Sequence, residues 1–138
     1  MILVLVLVVS SCASPLPPHS PTVWGLSYAA LEVPAGTLAP LSAVAGWNTV
    51  RIEAGHVNTR MVAHEVTHIW QQRHLAVPVA FLGAPCGWQP EWNCSALEAH
   101  ADAVGAAAVR AGCSPGDFGW PGWEATACTI PDPLEVHP

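Results

Sequence analysis

From Thr59 to His74 the chain reads TRMVAHEVTHIWQQRH, sixteen residues without glycine or proline in a sequence that carries 11 Gly and 14 Pro among 138 residues. Proline removes a backbone donor and glycine costs chain entropy, so a stretch free of both is where a helix can run unbroken. Asn58, just before it, offers a side-chain oxygen to the first free amides. Val62, Val66, Ile69 and Trp70 recur at helical spacing and form a stripe that must face a core. A second helix is expected over residues 95–111, alanine-rich and stopped by Gly112, a residue suited to the left-handed C′ position. Between the two, Pro78, Gly83, Pro85, Gly87 and Pro90 make a connecting loop. Before them, the apolar runs TVWGLSY and WNTVRIEAG are broken by Pro34, Gly36, Pro40 and Gly46, which suits short strands and turns. The tail from Cys113 onward is turn-rich and is expected to wrap the surface. Residues 22–138 thus read as one small α+β domain with a modest core and no internal repeat.

Seven tryptophans and only 10% charged residues oppose disorder. Four arginines, no lysine and a net charge of −6 leave nothing to neutralise a phosphate backbone, which excludes nucleic acid as a natural partner. Residues 1–14 read as an export signal: an apolar run over 2–9, too short for the roughly 20 residues that span a bilayer, followed by small residues. VSSC at 9–12 resembles a bacterial lipobox, which would make Cys12 a lipid-modified membrane anchor, although no Lys or Arg precedes the run. Ordinary cleavage near Ala13 is the competing reading. Either way the chain is expected in the periplasm or outside the cell, with PLPPHSP over residues 15–21 as a linker of polyproline character. Cys86, Cys94, Cys113 and Cys128 are even in number, as disulfides require. Each of the pairs Cys86–Cys94 and Cys113–Cys128 brackets a loop rich in Pro, Gly and Trp, and these are the expected bridges. A cysteine-ligated zinc site would want a CxxC pair, which the chain lacks.

The chemistry concentrates in the first helix. His64 and His68 stand at i and i+4, about 40° apart around the axis and about 6 Å along it, so two imidazoles share one face and can share one cation. Glu65 lies beside that face, placed for a water near the cation rather than for the cation itself. HExxH is a short pattern that a random shuffle of this composition yields roughly once in fifty chains, so its weight comes from falling mid-helix. The competing reading is a helix whose buried histidines are merely hydrogen-bonded, which leaves Glu65 unexplained.

A catalytic zinc site takes three protein ligands and one open position. His74 is one candidate for the third, since HEVTHIWQQRH approaches the HExxHxxGxxH pattern of the metzincins. Gln71, however, stands where that pattern needs a turning glycine, and no methionine follows Met61. On a continuing helix His74 lies about 240° around from His68. The other candidate is Glu98, in SALEAHADAVG, with Asp102 one turn further on. The short side chains of Ala96, Ala99, Ala101 and Ala103 would let this helix approach the first closely.

HExxH together with Glu98, Ala101 and Asp102 in an ExxAD arrangement resembles the gluzincins, the thermolysin-like branch of zinc metallopeptidases, over about residues 45–105. The resemblance implies a small zincin-like domain, Zn2+ held by His64, His68 and Glu98, Glu65 as general base, and Asp102 orienting a ligating histidine. It also implies that residues 47–53, WNTVRIE, are the edge strand that pairs with extended substrate. One alternative stays open at Glu98. Ser95 to Glu98 spells a capping box, in which the glutamate would fold back on the Ser95 amide. His100, about 200° around from Glu98, should point elsewhere.

The expected function is that of an exported metalloendopeptidase: an activated water attacks a peptide carbonyl, and Glu65 takes its proton and passes it to the departing amine. Tyr28, His56 and His74 are candidates to stabilise the carbonyl oxygen. Trp88, Trp92, Trp120 and Trp123 either line a cleft or fill the core. The expected partner is a peptide or protein substrate, and the expected state a monomer. Two readings from other classes compete: an exported zinc-binding lipoprotein or binding module without turnover, and a cell-wall or partner-binding module without metal.

Overall fold

A tight turn at Trp24–Gly25 joins β1 (Thr22–Val23) to β2 (Leu26–Ser27), which pair antiparallel. The computed structural model describes residues 22–75 and 94–138. Cys12, the expected leader and linker, the Cys86–Cys94 pairing, Trp88 and Trp92 therefore lie outside the described residues. Trp24 and Gly25 both adopt left-handed conformations, with φ 52° and 73°, as the twist of a two-residue hairpin demands. Glycine takes this freely, whereas Trp24 is held there by its packing. Its ring meets Phe118 edge-on with 6.0 Å between centroids, and its indole N–H donates to the Pro131 carbonyl at 2.9 Å. The first hairpin and the C-terminal tail are thereby closed on one another.

β3 (Ala29–Val33), β4 (Ala43–Ala45) and β5 (Thr49–Glu53) form a mixed sheet of order β3-β5-β4, with β3 parallel and β4 antiparallel to β5. The run expected at the edge is therefore the central strand. Val50 and Ile52, both fully buried, alternate with exposed Arg51, and β-branched residues of this kind suit a strand flanked on both sides. The edges are β3 and β4, and β4, the edge beside α1, is three residues long and too short to announce itself by alternation. Gly46 N–H donates to Thr49 O at 2.7 Å and Glu53 N–H to Ser42 O at 2.9 Å, while Val44 faces Arg51 across the ladder. Bonded pairs in an antiparallel ladder recur every second residue, so Ala43 and Ala45 turn their backbone N–H and C=O away from β5. The loop before β4 is fastened by Glu53, whose Oε1 accepts the Leu38 N–H at 2.6 Å.

α1 (Thr59–His74) spans the expected helix, with Asn58 as N-cap accepting the Met61 N–H at 3.0 Å. Arg73 and His74 occupy its last turn, where positive charge complements the helix dipole. α1 packs against β4 and β5 on one side and against α2 (Cys94–Arg110) on the other. That middle position explains why Ala63, Thr67, His68, Gln71 and Gln72 are buried along with the expected stripe of Val62, Val66, Ile69 and Trp70. Of the small residues expected to face inward on α2, Ala101 is buried, Ala99 and Ala103 are half-buried and Ala96 is exposed; Val104, Gly105 and Ala108 complete the buried face. At Gly105 the helices nearly touch, and an added Cβ would stand 2.7 Å from the Arg60 carbonyl oxygen.

α2 ends with Gly112 N–H donating to Val109 O and Cys113 N–H to Ala108 O, with Gly112 at φ 74°, the Schellman arrangement anticipated at this glycine. Beyond it the tail does more than wrap the surface. A 3-10 turn at Pro115–Phe118 is capped by Ser114, and Phe118 and Trp120 are inserted into the core. Trp123 stays exposed. Asp117 accepts the amides of Ser114, Thr126 and Ala127, and the expected Cys113–Cys128 disulfide closes this unit across a sequence separation of 15. A loop of that length contributes about 3 kcal/mol in the chain-entropy picture.

Candidate metal centre

The α1 face that meets α2 carries the two motif histidines. His64 Nε2 and His68 Nε2 stand 3.0 Å apart, as the i, i+4 spacing dictates. Glu98, in the second turn of α2, places one carboxylate oxygen 3.2 Å from His64 Nε2 and the other 3.2 Å from His68 Nε2. Of its two anticipated roles this is the ligand orientation rather than the capping one. Two donors each about 2.1 Å from a shared tetrahedral ion would stand about 3.4 Å apart, so the three atoms have the spacing of one coordination sphere, slightly contracted.

The protonation pattern supports the same conclusion. Asp102 Oδ1 lies 3.2 Å from His64 Nδ1, and a carboxylate there favours the proton on Nδ1. His68 Nδ1 lies 2.9 Å from Gln71 Oε1, an acceptor only. In their neutral forms both rings thus point bare Nε2 lone pairs at each other and at a carboxylate. Three electron-pair donors facing one small gap are mutually repulsive until a positive charge enters it. A proton on His64 is the smallest such charge. Burial opposes it, but the hydrogen bond to Glu98 and the charges of Glu65, Glu98 and Asp102 outweigh burial and raise the ring's pKa. The imidazoles beside it, His64 first and then His68, hold Glu98 well below the usual carboxylate range. A divalent cation would satisfy all three donors at once.

Glu65 lies beside this group, only 6% exposed. Burial raises its pKa, with partial opposition from His68, from His64 and from the Ala45 backbone N–H. Glu65, His64, His68 and Glu98 line one cleft of about 350 Å³ whose opposite wall is Pro40, Leu41, Ser42, Ala43 and Val44. The edge strand therefore forms the far bank of the cleft from the histidines.

The remaining histidines and the candidate donors stand apart from this site. His74 stacks on Trp70 with centroids 4.6 Å apart, and its Nδ1 lies 3.0 Å from Trp70 O, which removes it as a third ligand. His100 faces Gln71 and the Pro133 carbonyl. Tyr28 is buried and donates its hydroxyl proton to the Phe118 carbonyl. His56 sits in the loop before α1, where its backbone N–H bonds Glu53 O. None of Tyr28, His56 and His74 lines the cleft. A second grouping of ligand-type residues, Cys113, Asp117 and Cys128, offers no thiolate because its sulfurs are joined.

Two contributors were not marked in the sequence. The Ala45 amide acts through backbone, which no residue type reveals. Gln71, set aside as a departure from a glycine pattern, lies at i+3 from His68 and is fully buried; a glutamine on that face was a legible signal. No protein family, curated protein or solved structure is found to match the chain.

Proposed function

We propose that this domain is a zinc-dependent metallopeptidase that hydrolyses peptide bonds in extended segments of its substrates. The reading is supported above all by the convergence of His64, His68 and Glu98 with buried Glu65 beside them in one cleft. His64, His68 and Glu98 would hold the ion, and zinc when bound supplies a Lewis acid that polarises a carbonyl and makes water nucleophilic near neutral pH. Glu65 takes the proton of the attacking water and delivers it to the departing amine. A carboxyl whose pKa burial has lifted toward neutrality is better matched to both transfers than an ordinary one. The Ala45 N–H favours the charged form of that carboxylate, and Asp102 keeps the His64 ring turned.

The substrate class follows from β4. Ala43 lines the cleft and, among the described residues, β4 pairs with no strand on its outer side, so an extended peptide can join the sheet as an added strand, bound through its main chain with little side-chain preference. This moves the substrate-pairing edge from residues 47–53 to residues 43–45. We further propose that the chain acts outside the cytoplasm, on the strength of its N-terminal apolar segment, with Cys12 as lipid anchor; the Cys113–Cys128 bridge is compatible with that compartment. Among the described residues no helix is long and apolar enough to cross a membrane.

The test pairs zinc content with hydrolysis of an unfolded protein substrate by the wild type and by Glu65→Gln. Both proteins should hold one zinc per chain, and hydrolysis should fall about 100-fold or more in the variant. Full zinc with equal, negligible hydrolysis in both would instead identify a zinc-binding module without turnover. A melting temperature indifferent to chelation, with no zinc bound, would identify a metal-free binding module.

A further inference from the structure

Two backbone carbonyls fix the protonation of a chain of side chains that ends at His68. The Leu97 carbonyl can only accept, and Gln71 Nε2 lies 2.9 Å from it. This turns the amide nitrogen of Gln71 toward α2 and leaves Oε1 2.9 Å from His68 Nδ1. Oε1 also can only accept, so Nδ1 of His68 carries the hydrogen and Nε2 is left bare toward Glu98. At the far end the Pro133 carbonyl lies 2.8 Å from His100 Nε2, which places the hydrogen of that ring on Nε2. His100 Nδ1 is then an acceptor for the second N–H of Gln71 at 3.1 Å. Every donor in this chain meets an acceptor, and reversing the Gln71 amide would set its oxygen against both Leu97 O and His100 Nδ1.

We propose that Gln71, backed by His100 and the carbonyls of Leu97 and Pro133, is the positioning residue that holds His68 in its metal-ligating tautomer. The consequence for metal rests on the zinc-site reading above, whereas the tautomers themselves do not. Leu97 is the residue before Glu98, so the docking that delivers the third ligand also aligns the second. His64 is served differently: its partner Asp102 is a half-exposed carboxylate, with side-chain exposure of 56%, while Gln71 is neutral and fully buried. Each arm does the same work, one with charge in solvent and the other with a relay in the core.

The experiment reads histidine tautomers by long-range proton–nitrogen correlation in the metal-free full chain, and zinc affinity by competition with a chelator. The wild type should show His68 hydrogen-bearing at Nδ1 and His100 at Nε2. Gln71→Met keeps the bulk and deletes the relay; it should mix the His68 tautomers and weaken zinc binding by about 10- to 100-fold. Should that variant not fold, the far end gives the same readout: His100→Phe should loosen the His68 tautomer and His100→Gln, which can both accept and donate, should restore it. A wild-type His68 protonated at Nε2, or a folded Gln71→Met with unchanged tautomer and zinc affinity within about twofold, overturns the proposal. Predicted tautomers in a chain that takes up no zinc would uphold the assignment and contradict the zinc reading instead.

Discussion

α1 and α2 contribute to one site by opposite means. α1 supplies two ligands whose separation is a property of the helix itself, and it lies between the sheet and α2, so that the His68 and His64 side chains are only 3% and 15% exposed. α2 supplies one ligand, with a side chain 42% exposed, and its position depends wholly on how the helix docks. The pair thus divides the site into a half specified by five residues of local sequence and a half specified by packing between elements some thirty residues apart. Docking is the more fragile of the two, because it is set by side-chain packing and side-chain hydrogen bonds between separate elements rather than by a backbone hydrogen-bonded ladder.

The largest effects should come from the ligands, and their side effects should differ. His68→Ala and Glu98→Ala should each weaken zinc binding by more than the roughly 100-fold typical of losing an outer-shell partner. In the metal-free protein, however, His68→Ala should also lower stability by about 1–3 kcal/mol, since it strands the buried Gln71 oxygen. Glu98→Ala, at a half-exposed position, should change it by about 0.5 kcal/mol or less. Denaturant titration of the two metal-free variants makes this comparison, and equal losses would erase the distinction between the helices.

Gly105→Ala should rank next. The new methyl would press on the Arg60 carbonyl at the point of closest approach; overpacking of this kind costs about 1–3 kcal/mol, against which the better helix propensity of alanine returns about 1 kcal/mol. The telling readout is zinc affinity, which should fall although no ligand or ligand partner is touched. Unchanged affinity would mean that α2 docking has slack. The smallest effect should belong to Asn58→Ala, which removes the α1 cap and costs about 1 kcal/mol. Zinc affinity per folded molecule should stay the same, because the i, i+4 spacing does not depend on the cap.

The same division explains what the sequence alone could reveal. The α1 boundaries, the Asn58 cap and the shared face of His64 and His68 are short-range consequences of helix geometry, and they were legible. So was the Gly112 stop, announced by a residue type with one strong preference, while the Cys113–Cys128 bridge, one of the pairings that four cysteines allow, followed from the short loop it brackets. The edge strand was misplaced because the hydrophobic alternation of Val50 and Ile52 marks burial, and burial belongs to the centre of the sheet. β4, with its two alanines, carries almost no pattern. The inward face of α2 was read from alanine content, whereas the helix buries the positions that its angle of approach selects, Gly105 among them. Phe118 and Trp120 lie in a turn-rich tail whose local signals say nothing of how deeply it reaches.

X-ray absorption at the zinc edge of the reconstituted full chain tests the central claim most directly. One zinc per chain is expected, with a first shell of nitrogen and oxygen at about 2.0–2.1 Å, the scattering of two imidazoles, and no sulfur. A shell containing sulfur at about 2.3 Å, or a chain that retains no zinc after dialysis, would contradict it.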